Sequence, residues 1–368
     1  MKDFIPQIEP WIDERELYYL KKAIDSTYVT EHALTKEFED RIKNLTGARH
    51  AIAYTNGTVA LYACLKALNI GPGDEVIVPN MTFVATSNAV IMAGANPVFC
   101  EIEPNTLCID SLKLSNLITH KTKAIMPVHL YGQSADMHTI MEIANKNNLF
   151  IIEDAAQGVG VKFDNKHVGT YGDLGILSFY GNKTITCGEG GVILTNCDKL
   201  QKACYRLKNH GRDKKGVFVH DYIGFNFCFT EMQAALGLSQ LDKLPEIIKR
   251  KKEIYDLYHE KLIGLKEIFK PIAIDKRTVP VHWFTSFLTK EKAGLQKYLR
   301  NNNVQTRDFF YPLNMQPCYK NMATTDFPIS KKIYYEGISL PSSYNLTKKQ
   351  QTDIINLICE YFKHDTFN

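Results

Sequence analysis

Short runs of strand-forming residues alternate with longer helix-like runs from about residue 50 to residue 200, and this alternation limits the fold more than any other feature. It is typical of crossover units, in which a helix connects two parallel strands of one sheet. Several runs are apolar nearly throughout, as expected for strands that helices cover on both faces. The predicted strands are residues 50–54, 75–79, 96–102, 123–130, 149–154, 174–179 and 190–195. We therefore predict an α/β fold with a mostly parallel, seven-stranded sheet between helices.

The second half of the chain predicts a connector helix and a smaller domain. Thr230 is a suitable N-cap for a long helical pattern, in which Pro245 predicts a bend. From about Gly264 onward, shorter strand and helix patterns indicate an α+β domain. A chain of 368 residues suits two domains of unequal size. The predicted division is a large domain over residues 1–245, followed by the connector helix and small domain over residues 246–368.

Charge and cysteine usage exclude several classes of protein. Lys and Arg number 44 against 40 Asp and Glu, and the basic run at residues 249–252 lies on a predicted helix, so neither nucleic-acid nor membrane binding is expected. The nine cysteines include no Cys-x-x-Cys pair, which argues against a metal site and for a reducing compartment. The first residues lack the apolar core of a secretion signal, and no run of about 18 apolar residues occurs. We expect a cytoplasmic protein.

Candidate functional residues follow the predicted strands, where ligands of open α/β sheets bind. Gly57 and Thr58 open a helix whose N–H groups suit a phosphate, although a Gly-Thr turn can also be a simple cap. Phe83 follows the second strand, where an aromatic ring either stacks on a ligand or joins the core. Asp154 ends the fifth strand beside Glu153, and a buried carboxylate there needs a partner.

A single lysine, Lys183, lies between the sixth strand and a glycine-rich turn at residues 188–191. Alone, it would be interpreted as a solvated loop residue. Together with the other strand-end residues it matches pyridoxal 5'-phosphate (PLP). That cofactor has an aldehyde that condenses with lysine, a ring nitrogen that a carboxylate keeps protonated, a phosphate suited to a helix N-terminus and a flat ring that stacks on an aromatic side chain. The sequence therefore predicts a PLP site.

Four longer segments resemble the signature blocks of the DegT/DnrJ/EryC1/StrS family of PLP-dependent nucleotide-sugar aminotransferases. They are GDEVIVPNMTFVATSNAV, IIEDAAQGVG, SFYGNKTITCGEGGVILTN and GFNFCFTEMQAALGLSQL. The third block is most similar to the branch that forms GDP-perosamine. The resemblance implies a PLP-dependent transferase fold of type I (aspartate aminotransferase-like), a homodimer with shared active sites, and transfer of an amino group from L-glutamate to a nucleotide-linked keto-sugar.

The resemblance also implies roles for individual residues. Lys183 matches the lysine that bonds to the cofactor aldehyde, and Asp154 matches the aspartate that pairs with the pyridine nitrogen. Phe83 matches the stacking aromatic, and Gln157 matches a polar residue beside the ring. The residues that match the phosphate site are Gly57, Thr58, Ser178 and, reaching across from the neighbouring subunit, Asn226.

Two positions depart from the family pattern. Cys228 stands where many members have a basic residue, and Asn314 stands where a histidine is common. Asn314 and the nearby Arg307 are candidate substrate residues: Arg307 either meets the nucleotide diphosphate or is an ordinary surface arginine.

Several alternatives remain open for the reaction. A 4-keto-6-deoxy sugar linked to GDP would give perosamine, one linked to UDP or dTDP would give viosamine, and amination at C3 is the alternative within the family. Lys183 argues against the dehydrating relatives, which carry histidine there. A non-catalytic binding or regulatory protein on this fold would be expected to lose Asp154 or Lys183, and the chain keeps both.

Overall fold

The computed structural model describes residues 4–214, 216–320, 322 and 325–365, and a seven-stranded sheet forms its centre. The strands are β1 (His50–Tyr54), β2 (Glu75–Pro79), β3 (Asn96–Cys100), β4 (Thr122–Ile125), β5 (Phe150–Asp154), β6 (Lys162–Phe163), β7 (Lys166–His167), β8 (Leu174–Ser178), β9 (Gly191–Thr195), β10 (Lys270–Pro271), β11 (Thr278–Val279), β12 (Thr285–Leu288), β13 (Arg307–Asp308) and β14 (Gly337–Leu340). The α-helices are α1 (Glu14–Asp25), α2 (Ala33–Thr46), α3 (Gly57–Ala67), α4 (Ala85–Met92), α5 (Met137–Lys146), α6 (Asp198–Lys208), α7 (Glu231–Leu262), α8 (Lys292–Asn301), α9 (Pro328–Glu336) and α10 (Lys348–Asp365).

The central sheet has the strand order β1-β9-β8-β5-β4-β2-β3. The pairs from β8 through β5, β4 and β2 to β3 are parallel, whereas β9 is antiparallel to both of its neighbours. Six strands therefore point the same way and β9 is reversed. Because β8 and β9 form a hairpin, the connection over residues 179–190 lies at the carboxyl edge of the parallel strands. This edge is where the sequence predicts the functional site.

Side chains alternate between two cores, one on each face of this sheet. Ile77 of β2 and Leu177 of β8 pack in one core with α7 residues such as Leu238. Val76 and Ile176, from the same two strands, pack in the other core. This is the period-2 pattern of a strand covered on both faces, and it confirms the predicted layering.

Helix α7 extends from the central sheet into a second region. Thr230 is its N-cap, as predicted, and forms a capping box with Gln233. The helix continues through Pro245 to Leu262, so the predicted domain division within it stays a prediction. Its last turns share a core with the antiparallel sheet β10-β12-β14-β13 and with α8 and α10.

The strand predicted over residues 123–130 is shorter in the structure, and its end has a physical reason. Pro127 has no N–H to donate and so interrupts the regular ladder. Val128 still forms an isolated bridge with Asp154, and the chain then turns into a short 3-10 helix, Leu130–Gly132. Tyr131, inside that turn, has a φ of 53°. Such a backbone is uncommon for a bulky residue, and it marks a position that its surroundings hold in place.

Candidate functional site

The carboxyl edge of the central sheet brings Lys183 and Asp154 together. Asp154 is the last residue of β5, and the neighbouring β8 leads into the loop that carries Lys183. The Asp154 carboxylate acts on the charge of the Lys183 ammonium. The structure thus places in one site two residues that are 29 positions apart in the chain.

Lys183 is held by a short turn and by an indole ring. Its N–H donates to the carbonyl oxygen of Tyr180 at 3.0 Å. Its Nζ lies 4.6 Å from the centre of the Trp283 ring. Burial lowers the pKa of Lys183 to about 8, Asp154 opposes this shift, and the positive charge of Arg307 adds to it. A lysine amine with such a pKa can exchange protons near neutral pH.

Asp154 is a buried carboxylate whose hydrogen-bond donors are neutral. The hydroxyl of Thr86 donates to it at 2.8 Å, and the N–H of Ala156 donates at 3.1 Å. Burial raises the pKa of Asp154, and these two donors and Lys183 offset part of the rise. Among the ion pairs of the described residues, none includes Asp154. A carboxylate of this kind suits a cationic nitrogen of a bound ring.

Glu153, one residue earlier, has a different surrounding. It accepts hydrogen bonds from the N–H groups of Gly169, Tyr171 and Gly172, and it contacts His129 Nε2 at 2.9 Å. Glu153 and His129 are both fully buried. Only the second carboxylate of the predicted acidic pair therefore faces the candidate site.

The N-terminus of α3 and the end of β8 form a polar cradle. Asn56 caps the helix by accepting from the N–H of Val59 at 3.1 Å, which leaves the first N–H groups, those of Gly57 and Thr58, directed out of the helix. A side chain at Gly57 would lie 3.2 Å from Cβ of Ser178, so glycine permits this close approach. The first N–H groups of α3 thus lie at the helix end that Ser178 approaches, an arrangement that suits an anion.

Phe83 continues a group of aromatic rings that extends from Trp283. The group is formed by Phe83, Tyr131, Trp283, Phe284, Phe309 and Phe310. Phe83 is 54% exposed, and its ring centre is 6.1 Å from that of Phe310. The exposed ring leaves a face available to a ligand, as a stacking role requires.

Gln157 is buried and supports this aromatic group. Its Oε1 accepts from the N–H of Tyr131 at 2.7 Å and so holds the turn with the positive φ. The predicted position of Gln157 beside a cofactor ring stays a prediction.

Arg307 lies in β13 beside an open cleft. It is exposed, its guanidinium lies 5.3 Å from the Phe284 ring, and its charge acts on Lys183. The cleft has a volume of about 580 Å³, and Tyr180, Asn182 and Arg307 are among its lining residues. An anion bound at Arg307 would therefore be close to Lys183.

Asn314 forms hydrogen bonds with Asn80, which follows β2 of the central sheet. The side-chain Oδ1 of Asn314 accepts from Asn80 Nδ2 at 2.9 Å, and the backbone N–H of Asn314 donates to Asn80 Oδ1 at 3.0 Å. The two amides thus connect the end of β2 to the segment after β13. The substrate role of Asn314 stays a prediction, and its amide nitrogen is the group left for it.

Asn226 is exposed and apart from the other predicted residues of its own chain. Its Oδ1 accepts from the N–H of Cys228 at 3.4 Å, and its backbone pairs with Asn209. The next carbonyl, that of Phe227, accepts from the N–H of Thr55 at 3.1 Å, close to the α3 cradle. The described contacts do not join the Asn226 side chain to Gly57, Thr58 or Ser178.

Three residues at the site were missed in the sequence: Thr86, Tyr131 and Trp283. For Thr86 a signal existed, because Thr82 and Thr86 are one helical turn apart after β2 and their hydroxyls lie 3.1 Å apart. Trp283 comes from a segment 100 residues beyond Lys183, and no local pattern connects the two. Among the described residues there is also no group of three or more His, Cys, Asp or Glu residues able to hold a metal ion.

Comparison with known proteins gives consistent matches over nearly the whole chain. The sequence pattern of the DegT/DnrJ/EryC1/StrS aminotransferase family matches residues 10–359. A GDP-perosamine synthase from Vibrio cholerae is 39% identical over 97% of this chain and 99% of its own. The structure of a DegT DnrJ EryC1 StrS aminotransferase from Brucella abortus is 30% identical, with a TM-score of 0.89 over 95% of each chain. The structure of a Streptococcus pneumoniae protein named as a sugar aminotransferase, in its pyridoxamine phosphate (PMP) form, is 26% identical, with a TM-score of 0.91 over 96% of each chain.

Proposed function

Because the chain belongs to the DegT/DnrJ/EryC1/StrS aminotransferase family, we propose that it transfers the amino group of L-glutamate to C4 of a nucleotide-linked 4-keto-6-deoxy sugar. The protein is a PLP-dependent sugar aminotransferase with the type I fold. The position aminated, the nucleotide and the roles of individual residues are part of the proposal. GDP is the favoured nucleotide, because the 39% identical relative is a GDP-perosamine synthase.

The residues at the sheet edge fit PLP. The cradle of Gly57, Thr58 and Ser178 suits the phosphate, and Phe83 offers an exposed ring face for stacking. Asp154, with neutral donors only, suits a protonated ring nitrogen. When bound, the cofactor withdraws electrons from a substrate carbon that loses its proton. The buried carboxylate near Lys183 is the single observation that carries this assignment.

Lys183 is proposed to move the protons of both half-reactions. Its Nζ takes the proton from the α-carbon of glutamate, and in the second half it delivers a proton to the sugar carbon that gains nitrogen. A pKa of about 8 places the amine close to neutral pH, as efficient acid–base catalysis requires. Arg307 is proposed to bind an anionic part of the substrate, the nucleotide diphosphate, in the adjoining cleft.

We also propose that the active site is shared between two copies in a cytoplasmic homodimer. Asn226 is exposed, and the preceding loop carries exposed apolar residues, with Phe218 82% and Ile223 88% exposed. Exposed apolar side chains of this number are typical of an interface with another chain. A second copy seated there could receive Asn226 at its phosphate cradle.

The proposed reaction is tested by offering the purified enzyme L-glutamate with GDP-, UDP- and dTDP-linked 4-keto-6-deoxy sugars in parallel. Mass spectrometry should detect replacement of the keto oxygen by an amino group, most rapidly with the GDP sugar. Proton NMR of the product should place nitrogen on C4. Faster turnover of a 3-keto sugar, with nitrogen on C3, would contradict the proposed position, and a faster UDP or dTDP sugar would contradict the nucleotide.

A further inference from the structure

Trp283 lies between two buried or partly buried lysines and contacts the loop of Lys183 in two ways. Its Nε1–H donates to the carbonyl oxygen of Asn182 at 2.6 Å, and its ring faces Nζ of Lys183 at 4.6 Å. Its own carbonyl oxygen accepts from Nζ of Lys251 at 3.0 Å. The indole is 2% exposed and is stacked on Phe284 at 3.8 Å. Its backbone, N–H and ring face are therefore all fixed.

These contacts join distant parts of the chain. Lys251 belongs to α7 and also donates to the carbonyl oxygen of Ser342 at 3.2 Å. Trp283 precedes β12, whereas Asn182 and Lys183 lie between β8 and β9. The lysine loop is thus held from outside its own hairpin, by a side chain whose backbone is anchored on α7.

We propose that Trp283 is a positioning residue for Lys183, which fixes the loop through Asn182 and gives the free amine a defined place on the ring face. The inference rests on the proposed function, in which Lys183 must release and regain its covalent partner. A flexible lysine that detaches would otherwise sample many rotamers before it reaches a substrate carbon. The indole limits those rotamers.

The ring face also acts on the charge of the lysine. An ammonium over an indole is stabilised by the negative face of the ring, which opposes the effect of burial on Lys183. The other charges that act on Lys183 are Asp154 from β5, which favours the ammonium, and Arg307 from β13, which disfavours it. Removal of the indole should therefore lower the pKa of Lys183, by about half a pH unit for a cation–π contact of ordinary strength.

Tryptophan fluorescence offers a direct test, because the chain contains only two tryptophans, Trp11 and Trp283. In a full-length Trp11→Phe, Lys251→Met enzyme freed of cofactor, the remaining emission comes from Trp283, and the nearby Lys251 no longer titrates. We expect its pH titration to show a step near pH 8, and we expect Lys183→Met in the same background to remove that step. A step that persists without Lys183, or no step with it, overturns the proposal.

A second measurement follows the amine itself. The acetylation rate of Lys183 is measured by mass spectrometry against pH, in the cofactor-free chain and in the enzyme treated with L-glutamate. Trp283→Leu should shift the profile down by about half a pH unit, whereas Trp283→Phe, which keeps a ring face, should shift it less. Both variants should speed amide hydrogen exchange at residues 180–186, because both lose the bond to Asn182.

Phe287→Leu is the matched control, since Phe287 is a buried aromatic of the small sheet away from Lys183. It should lower stability without moving the acetylation profile. An unchanged profile in folded Trp283→Leu shows that the indole is only a core residue. None of these measurements depends on turnover. A failure of the proposed reaction can therefore be told apart from a failure of the proposed role of Trp283.

Discussion

Burial shifts the ionisation of Lys183 and Asp154 in opposite directions, because it disfavours the charged form of each. It lowers the pKa of Lys183 to about 8 and raises the pKa of Asp154. Each group partly offsets the shift of the other through its opposite charge. The ionisation of each residue therefore depends on the charge of the other, and each can be tested by a substitution.

The first prediction concerns the covalent attachment point. Borohydride reduction of the purified enzyme should fix the cofactor to a single peptide, the one that contains Lys183. Lys183→Met should lose transamination, because it removes the amine that moves the protons. Lys251→Met, which removes another buried lysine, should keep the label. Peptide mass spectrometry is the measurement, and a label on a different lysine would disprove the assignment.

The second prediction separates the two adjacent carboxylates. Asp154→Asn should fold but lower kcat by roughly 100- to 1000-fold, because an amide cannot stabilise a cationic ring nitrogen. Glu153→Gln should instead lower the free energy of unfolding by about 1–3 kcal/mol, because Glu153 accepts from three backbone N–H groups and contacts His129. Steady-state kinetics and chemical denaturation are the measurements. A loss below threefold for Asp154→Asn would indicate a structural carboxylate.

The third prediction concerns the paired amides. Asn80→Ala should lower the free energy of unfolding by about 1–3 kcal/mol, because it removes both hydrogen bonds with Asn314. Asn314→Ala should cost less, because it removes only the bond accepted by its Oδ1 and keeps the backbone N–H that donates to Asn80. The double variant should cost less than the sum of the two. A rise in KM for the sugar nucleotide that is confined to Asn314→Ala would support a substrate contact through its amide nitrogen. Additive losses of stability would contradict the bond that the two side chains share.

At the scale of elements, the sequence predicted what local patterns determine. The apolar runs located the strands of the central sheet, and Thr230 marked the start of α7. The antiparallel orientation of β9 could not be predicted, because a short apolar run does not indicate which way its strand points in the sheet. The contacts of Trp283 with Lys183 were missed for a related reason: they depend on tertiary packing between distant segments.

The fourth prediction concerns α7, in which burial lowers the pKa of Lys251 to about 7. Below pH 7 both the folded and unfolded chains carry this charge, and the folded chain bears the full cost of its burial. Between pH 7 and the unfolded value of 10.5 the unfolded chain binds more protons, so stability rises with pH. Relative to Lys251→Met, the wild-type chain should gain up to about 1.4 kcal/mol per pH unit across this window.

This dependence is measured by denaturant unfolding of the two cofactor-free proteins at several pH values. The comparison cancels the titration of all other groups that the substitution leaves unchanged. A stability difference that stays constant from pH 7 to 10 would show that Lys251 keeps its charge in the folded chain.

At the scale of the whole molecule, Asn226 and the apolar side chains of Phe218 and Ile223 in the loop before it are exposed on the single chain. No helix of the described residues is long and apolar enough to cross a membrane. A second copy of the chain is the partner that we propose for this surface, and a twofold contact would create two equivalent sites.

The fifth prediction tests this sharing by complementation. Lys183→Met and a double Phe225→Ala, Asn226→Ala variant, each inactive alone, are mixed, unfolded and reassembled. Half of the dimers should be mixed, and one of their two sites should be intact, so activity should recover to about a quarter of normal. A mixture that stays inactive, although both variants fold as dimers, would show that the loop serves its own chain.

The two carboxylates at the end of β5 also have a consequence for how faithfully the strand assembles. A slip of β5 by one residue against β4 and β8 would turn every side chain to the opposite face. A slip in one direction would place Asp154 where Glu153 accepts from the N–H groups of Gly169, Tyr171 and Gly172. A slip in the other direction would place Glu153 where Asp154 accepts from Thr86. In the first case the Asp154 side chain is one methylene shorter than the Glu153 side chain that it replaces. In the second case the three backbone N–H groups lose the Glu153 carboxylate altogether. Either slip would leave buried N–H groups poorly paired, which is costly, so the two adjacent carboxylates of different length also favour a single register of β5.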